Sequence, residues 1–213
     1  MKSFTFFGTD APWPAAGRSS RALLGLFLLV LSLCGIVHGV RAGMAHALYF
    51  QARYGGRESH PDAIFVLCEQ ADRLYPFNYN LCILAAKTAY AASFSGDRNE
   101  SARLLALAER WCDKGLRIDV YKRSLRLLKT RLMAMKSLPD AIRYWEAYVE
   151  WEFWAPRNHA VLVELYSRAG DFDRALESLA WTRGSDCYAD ASRKFTEAWD
   201  REKTFKAASG TRP

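Results

Sequence analysis

The sequence predicts an all-α protein: an N-terminal transmembrane helix followed by an α-solenoid of about four helix pairs. Three observations carry that expectation. An apolar run lies close to the N-terminus, amphipathic helical patterns recur with Pro, Gly and Asp between them, and the tetrapeptide "PDAI" occurs twice, at 61–64 and 139–142.

The chain of 213 residues is long enough for one ordinary domain plus an appendage. Half of the residues are hydrophobic and 14% are aromatic, which supports a packed core and excludes wholesale disorder. The formal net charge is +7. Residues 1–42 hold four of the 30 Lys/Arg and one of the 23 Asp/Glu, leaving 26 against 22 and a net +4 for the remainder. So mild an excess argues against a nucleic-acid partner. The five cysteines (Cys34, Cys68, Cys82, Cys112, Cys187) form no CxxC and have no metal-ligand spacing to the histidines. They read as small buried hydrophobes. A Cys68–Cys82 bridge is conceivable if the domain faces an oxidising compartment.

Residues 1–20 read as a disordered lead, with Pro12, Pro14 and three Phe in its first seventeen residues. Residues 21–41 read as the transmembrane segment. From Ala22 to Val40, nineteen residues contain no acid, Lys or Arg, and only His38 can charge. At ~1.5 Å rise per residue such a helix is close to the ~30 Å of hydrocarbon it must cross. Two readings stand: an uncleaved signal-anchor, or a signal peptide cut before Gly43. The anchor is favoured because the run exceeds the usual signal-peptide core of roughly 7–15 residues. The helical pattern also continues through "GMAHALYFQARY". Arg18 and Arg21 precede the run and Arg41 follows it, so charge asymmetry says little about orientation. Export of the C-terminal part to the periplasmic or extracellular side is the expectation.

Residues 44–190 read as the repeat domain and 191–213 as a capping helix with a basic tail. The alanines of the two PDAI copies, Ala63 and Ala141, bracket Ala102 at the midpoint, and Ala175 follows. Four residues beyond each stands Leu67, Ala106, Trp145 or Leu179. Each alanine is expected to open a helix with an i, i+3/i+4 apolar stripe and to allow close approach of its partner. Partner helices precede three of them, in "NYNLCILAAKTAYAAS", "VYKRSLRLLKTRLMAM" and "PRNHAVLVELYSRAG". Gly96-Asp97, Pro139-Asp140 and Gly170-Asp171 serve as turns, with Asp available to cap the next helix.

This pattern resembles the tetratricopeptide repeat. Tyr166, Gly170, Phe172, Ala175 and Leu179 fall at the family's aromatic, glycine, aromatic, alanine and bulky positions. The second unit departs through an inserted loop, "SGDRNES", and the third through Lys129, where the family prefers a small residue. The resemblance implies a right-handed stack of antiparallel helix pairs with a concave, ligand-binding face. It also implies that each pair leaves an apolar face only its neighbour can bury. The carboxylate clamp of some chaperone-binding members is not expected, because its central positions hold Thr88, Thr130 and Glu164.

Between Lys114 and Lys136 there are eight Lys/Arg and one acid, Asp119. On the helix expected over 121–136, Leu125, Leu128, Leu132 and Met135 form the buried stripe. Lys122, Arg123, Arg126 and Lys129, joined by Arg157 and Arg168 of the next unit, are the candidate basic face for an anionic partner. The competing reading is a solvated face, or one neutralised by nearby acids. "WEAYVEWEFWAP" places Trp145 and Tyr148 at core positions and leaves Trp151, Phe153 and Trp154 as aromatic interface candidates. Glu146 and Glu150 are i, i+4 neighbours on a surface, not an acid/base pair across a cleft. His38, His46, His60 and His159 are scattered without HExxH, so no metal site or cofactor is expected. No phosphate loop or nucleophile elbow is present, and no enzyme is predicted. Asn99-Glu100-Ser101 is a formal glycosylation sequon.

Two functions follow. The first is a membrane-anchored scaffold that binds a protein partner, acidic or otherwise, and positions it at the membrane as a subunit of a larger complex. The second is an exported accessory factor of envelope or polysaccharide biogenesis that binds an anionic glycan or lipid head group.

Overall fold

Local capping chemistry divides the chain into helices. In the computed structural model, which describes residues 18–55, 60–95 and 97–208, these are α1 (Arg18–Tyr54), α2 (Pro61–Leu74), α3 (Tyr79–Ala92), α4 (Arg98–Ile118) and α5 (Arg123–Lys136), then α6 (Leu138–Trp151), α7 (Pro156–Ala169), α8 (Phe172–Ala180) and α9 (Tyr188–Ala208). No strand occurs among the described residues. The expected lead falls mostly on residues 1–17, and the end of the tail on 209–213, outside the described residues.

Asn78 caps α3 by accepting from the amides of Asn80 and Leu81, and Asp97 caps α4 through Asn99 and Glu100. Asp171 does the same for α8 through Arg174. At α6 the cap is Ser137, which accepts from the Asp140 amide; Asp140 instead lies in the first turn, where its charge suits the helix dipole. Prolines open α2, α6 and α7, where the missing N–H costs nothing. Gly170 ends α7 at φ 76°, a left-handed conformation in which glycine escapes the Cβ clash.

Several expectations shift by a fraction of a turn. Lys122 precedes α5 rather than lying in it, and within "SGDRNES" Asp97 caps α4 and Asn99 is already helical. Ala141 and Ala175 are fully buried as expected, but Ala63 and Ala102 are exposed. In α2 and α4 the close-approach residues are instead Cys68, Ala71, Ala108, Cys112 and Gly115. Met135 is half exposed, because the last turn of α5 packs through Met133 and Ala134 against α6 and α7. Cys68, Cys82 and Cys112 are buried free thiols, so the conceivable Cys68–Cys82 bridge is absent.

Each helix packs on its sequence neighbours from the second half of α1 onward, and α3 also touches α5 and α7 touches α9. That pattern defines two layers. Residues 41–54 of α1, with α3, α5, α7 and α9, form the inner layer, and α2, α4, α6 and α8 form the outer one. One core cluster spans α1 to α5, including Tyr49, Cys82, Trp111, Leu125, Leu128 and Leu132. A second gathers Ala141, Trp145, Tyr148, Leu162 and Tyr166 from α6 to α8. Helix α5 is the seam: Leu125, Leu128 and Leu132 face the first cluster, whereas Leu127, Met133 and Ala134 face the second.

The apolar half of α1 stands apart. It is long and apolar enough to cross a membrane, and none of its most hydropathic window is buried. It runs without a break into the first repeat, where Ala45, Tyr49 and Ala52 enter the core.

Candidate functional site

The concave layer contains a cleft of about 320 Å³ between α5, α7 and the start of α9. Its floor is Leu127, Ala134, Ala160, Val161 and Leu165, of which Ala134 and Leu165 are buried members of the second core cluster. Ala134 and Ala160 lower part of the floor, so a chain laid along it can approach α5 and α7 there. The rim carries Arg123, Arg131, Arg157, Arg168 and Lys194 against Glu164, Asp186 and Asp190.

All three acids are engaged. Asp186 pairs with Arg157, whose guanidinium holds its carboxyl below the usual range. Lys194 reaches Glu164 at 2.9 Å and Asp190 at 3.1 Å. The bond to Glu164 raises the pKa of Lys194 against the opposing effect of burial. Arg123 donates through Nε to Asn158 Oδ1 at 2.8 Å and through Nη2 to the carbonyl of Arg157 at 2.9 Å. Arg131 and Arg168 are exposed and have no hydrogen-bond or ion-pair partner among the described residues. The cleft is thus a greasy strip with two uncommitted guanidiniums at its rim.

Of the six basic candidates, the cleft brings together Arg123, Arg157 and Arg168. The other three lie on a different flank of the α5 region. Lys129 pairs with Asp113 of α4; burial disfavours its charge, but that bond raises its pKa on balance. Arg126 donates to the Val120 carbonyl at 2.7 Å and lies over the rings of Tyr144 and Tyr148. Lys122 sits over the ring of Tyr79 at 4.2 Å. Nearby acids and rings therefore occupy much of the charge run. Arg131 and Lys194 escaped the sequence reading. The readable signal was a second apolar stripe on α5, Leu127 and Ala134, seven residues apart and opposite the core stripe.

The three aromatic candidates, Trp151, Phe153 and Trp154, are all about half exposed or more. Trp151 stacks on Tyr121 with centroids 4.1 Å apart, joining the α6–α7 turn to the α4–α5 turn. Phe153 meets Trp154 edge-on, and His159 stacks on Trp181 of the α8–α9 turn. Glu146 is not a free surface acid: it accepts from the Tyr166 hydroxyl at 2.5 Å and pairs with Arg174. Among the described residues no three His, Cys, Asp or Glu side chains group to hold a metal.

Stacked antiparallel helix pairs with an inner concave layer define the tetratricopeptide type of helical repeat fold. Among solved structures, the thermophilic TPR protein TTC0263 of Thermus thermophilus is similar to this chain, with a TM-score of 0.59 at 18% identity over 73% of this chain and 81% of that one. At that identity the likeness is one of fold. No family profile matches the chain, and no curated protein matches it in sequence.

Proposed function

We propose that the protein is a membrane-anchored tetratricopeptide-like scaffold whose concave cleft holds an acidic segment of a partner protein and positions that partner at the membrane as part of a complex. The carrying observation is the pair of unpartnered guanidiniums, Arg131 and Arg168, above the apolar strip of Leu127, Val161 and Leu165. An extended peptide would bury its apolar side chains on the strip. A carboxylate would meet donors left idle by the fold, which suits the fork geometry of Arg. Arg123 and Arg157 extend the same rim, and Lys122, Arg126 and Lys129 add to the long-range field that draws an acidic partner. The fold supports protein interaction in general, and the long apolar α1 supports anchoring.

A photo-crosslinking residue at Ala160, in native membranes, should trap a protein that becomes undetectable with Arg131→Glu and Arg168→Glu combined. A protein adduct indifferent to that charge reversal overturns the acidic-partner reading. A salt-sensitive glycan adduct in its place would favour the envelope-biogenesis reading.

A further inference from the structure

The turns of the solenoid lie on two opposite edges, and the edges differ in chemistry. On one edge the inner helices end and the outer helices begin. Its described turns are built from Ser93, Ser95, Asp97, Ser137, Gly170 and Asp171, and its exposed rings are Tyr54 at the end of α1 and Phe94. On the other edge the outer helices end and the next inner helices begin, at 75–78, 119–122, 152–155 and 181–187. There each turn displays a large ring to solvent: Phe77, Tyr121, Trp154 and Trp181 are all more than half exposed. Phe153 and Trp151 add to the same edge. Buried aromatics need no such pattern, and rings amphipathic enough for a wet apolar boundary are the residues found here.

The position of the apolar helix says what this edge faces. The inner-layer part of α1 begins at the aromatic edge, so the exposed apolar run of α1 projects from that edge and not from the polar one. Two contacts fix the depth. His38, in the last turn of the apolar run, meets Tyr75 edge-on with ring centroids 5.5 Å apart. Arg41 donates to the carbonyl of Arg73 at 3.3 Å, at the end of α2. The 75–78 turn therefore sits level with the end of the apolar segment. Charge agrees: Arg73 and Arg117 end α2 and α4, both exposed, beside the buried indole of Trp111 whose Nε1 has no partner.

We propose that this edge rests on the bilayer surface: Phe77, Tyr121, Trp151 and Trp154 lie in the interfacial zone, and Arg73 and Arg117 meet anionic phospholipid head groups. This rests on the anchor reading of α1. The domain is then held edge-on, with its helices steep to the membrane and its repeat axis along it. Interfacial Trp and Tyr prefer this depth, and each cation near an anionic leaflet adds to the attraction.

The test uses the full chain, with Trp13→Phe, reconstituted in phosphatidylcholine–phosphatidylglycerol vesicles containing a brominated phosphatidylcholine that quenches nearby tryptophan. Bromolipid should quench a substantial part of the emission, and Trp151→Phe with Trp154→Phe should reduce that quenching at least twofold. Trp199→Phe, in α9, should leave it unchanged. Arg73→Glu with Arg117→Glu should also reduce it, and only when phosphatidylglycerol is present. Carbonate extraction at alkaline pH separates the two readings. A chain that stays in the vesicles while Trp151 and Trp154 remain unquenched overturns edge-on docking and leaves the anchor intact. A chain that is extracted overturns both.

Discussion

The Nε of Arg123 donates to Oδ1 of Asn158 across 2.8 Å, tying the first turn of α5 to the first turn of α7 over the helix between them. Asn158 is fully buried and uses every polar group it has there. Its Nδ2 reaches Glu152 Oε2 at 2.9 Å, and its carbonyl accepts from Trp145 Nε1 at 2.9 Å. The Asn158 side chain thus links consecutive inner helices, and its backbone carbonyl seats the largest buried ring of the C-terminal core.

Replacing Asn158 with Ala removes one partner each from the half-buried Arg123 guanidinium and Glu152 carboxylate, which keep the Arg157 carbonyl and the Tyr148 hydroxyl. The expected loss is about 1–2 kcal/mol, towards the low end for polar groups that lose a partner. Urea unfolding of the full chain in detergent, followed by circular dichroism, measures it. An unchanged midpoint would show that water replaces the network without cost.

Gly115 is the closest approach of α4 to its neighbours. A Cβ there would lie 2.9 Å from Cβ of Cys82 and closer still to Cδ1 of Leu125. Alanine elsewhere in a helix gains about 1 kcal/mol over glycine. Here the Leu125 methyl can move but the Cys82 Cβ cannot, so Gly115→Ala should destabilise by about 1–3 kcal/mol despite that gain. A rise in melting temperature would sink the argument.

Gly170→Ala tests a different penalty. Nothing crowds a Cβ at this position, but φ is +76°. The expected cost is about 1 kcal/mol from the left-handed backbone alone. Gly170→Asn should recover part of it, because Asn tolerates that region better.

The core thiols should make stability fall with alkaline pH. Burial pushes Cys68 and Cys112 up to about 12 and Cys82 up to about 11. In the unfolded chain a thiol ionises near ~8.5. Above that value the unfolded state has lost protons the folded state keeps, so stability declines from about pH 8.5 until the folded pKa is reached. Each thiol contributes a slope of up to about 1.4 kcal/mol per pH unit. The fall in urea midpoint between about pH 8 and pH 10 should be smaller in Cys112→Ala than in the parent. Equal falls in both would refute the assignment.

The layers were legible because caps and turn residues act locally: Asn78, Asp97 and Asp171 do in the structure what their side chains dictate anywhere. Register was not. "PDAI" opens α2 with Pro61 as its first residue, whereas Pro139 is the second residue of α6. The two helices also bury different faces, Phe65, Cys68 and Ala71 in α2 but Ala141, Trp145 and Tyr148 in α6, so identical letters leave Ala141 inside and Ala63 outside. The spacing of the two copies marked helix starts, not equivalent packing positions. The cleft was half legible. Arg123, Arg157 and Arg168 were found by charge, but Lys194 comes from α9, and which cations are already satisfied depends on acids such as Asp113 and Asp186 that only folding brings near.

The unbroken course of α1 has a mechanical side. A solenoid hung on a flexible linker would sample every bearing, whereas this one shares a single stiff rod with its own apolar stem and has no joint between them. Any lean of the stem becomes an equal swing of the whole stack, multiplied by its length at the far repeats. The cleft, built from α5, α7 and α9, lies towards that far end, so its aim is set by the apolar stem at the other end of the chain. Two glycines inserted after Val40 would free the lever while leaving every contact in the cleft untouched.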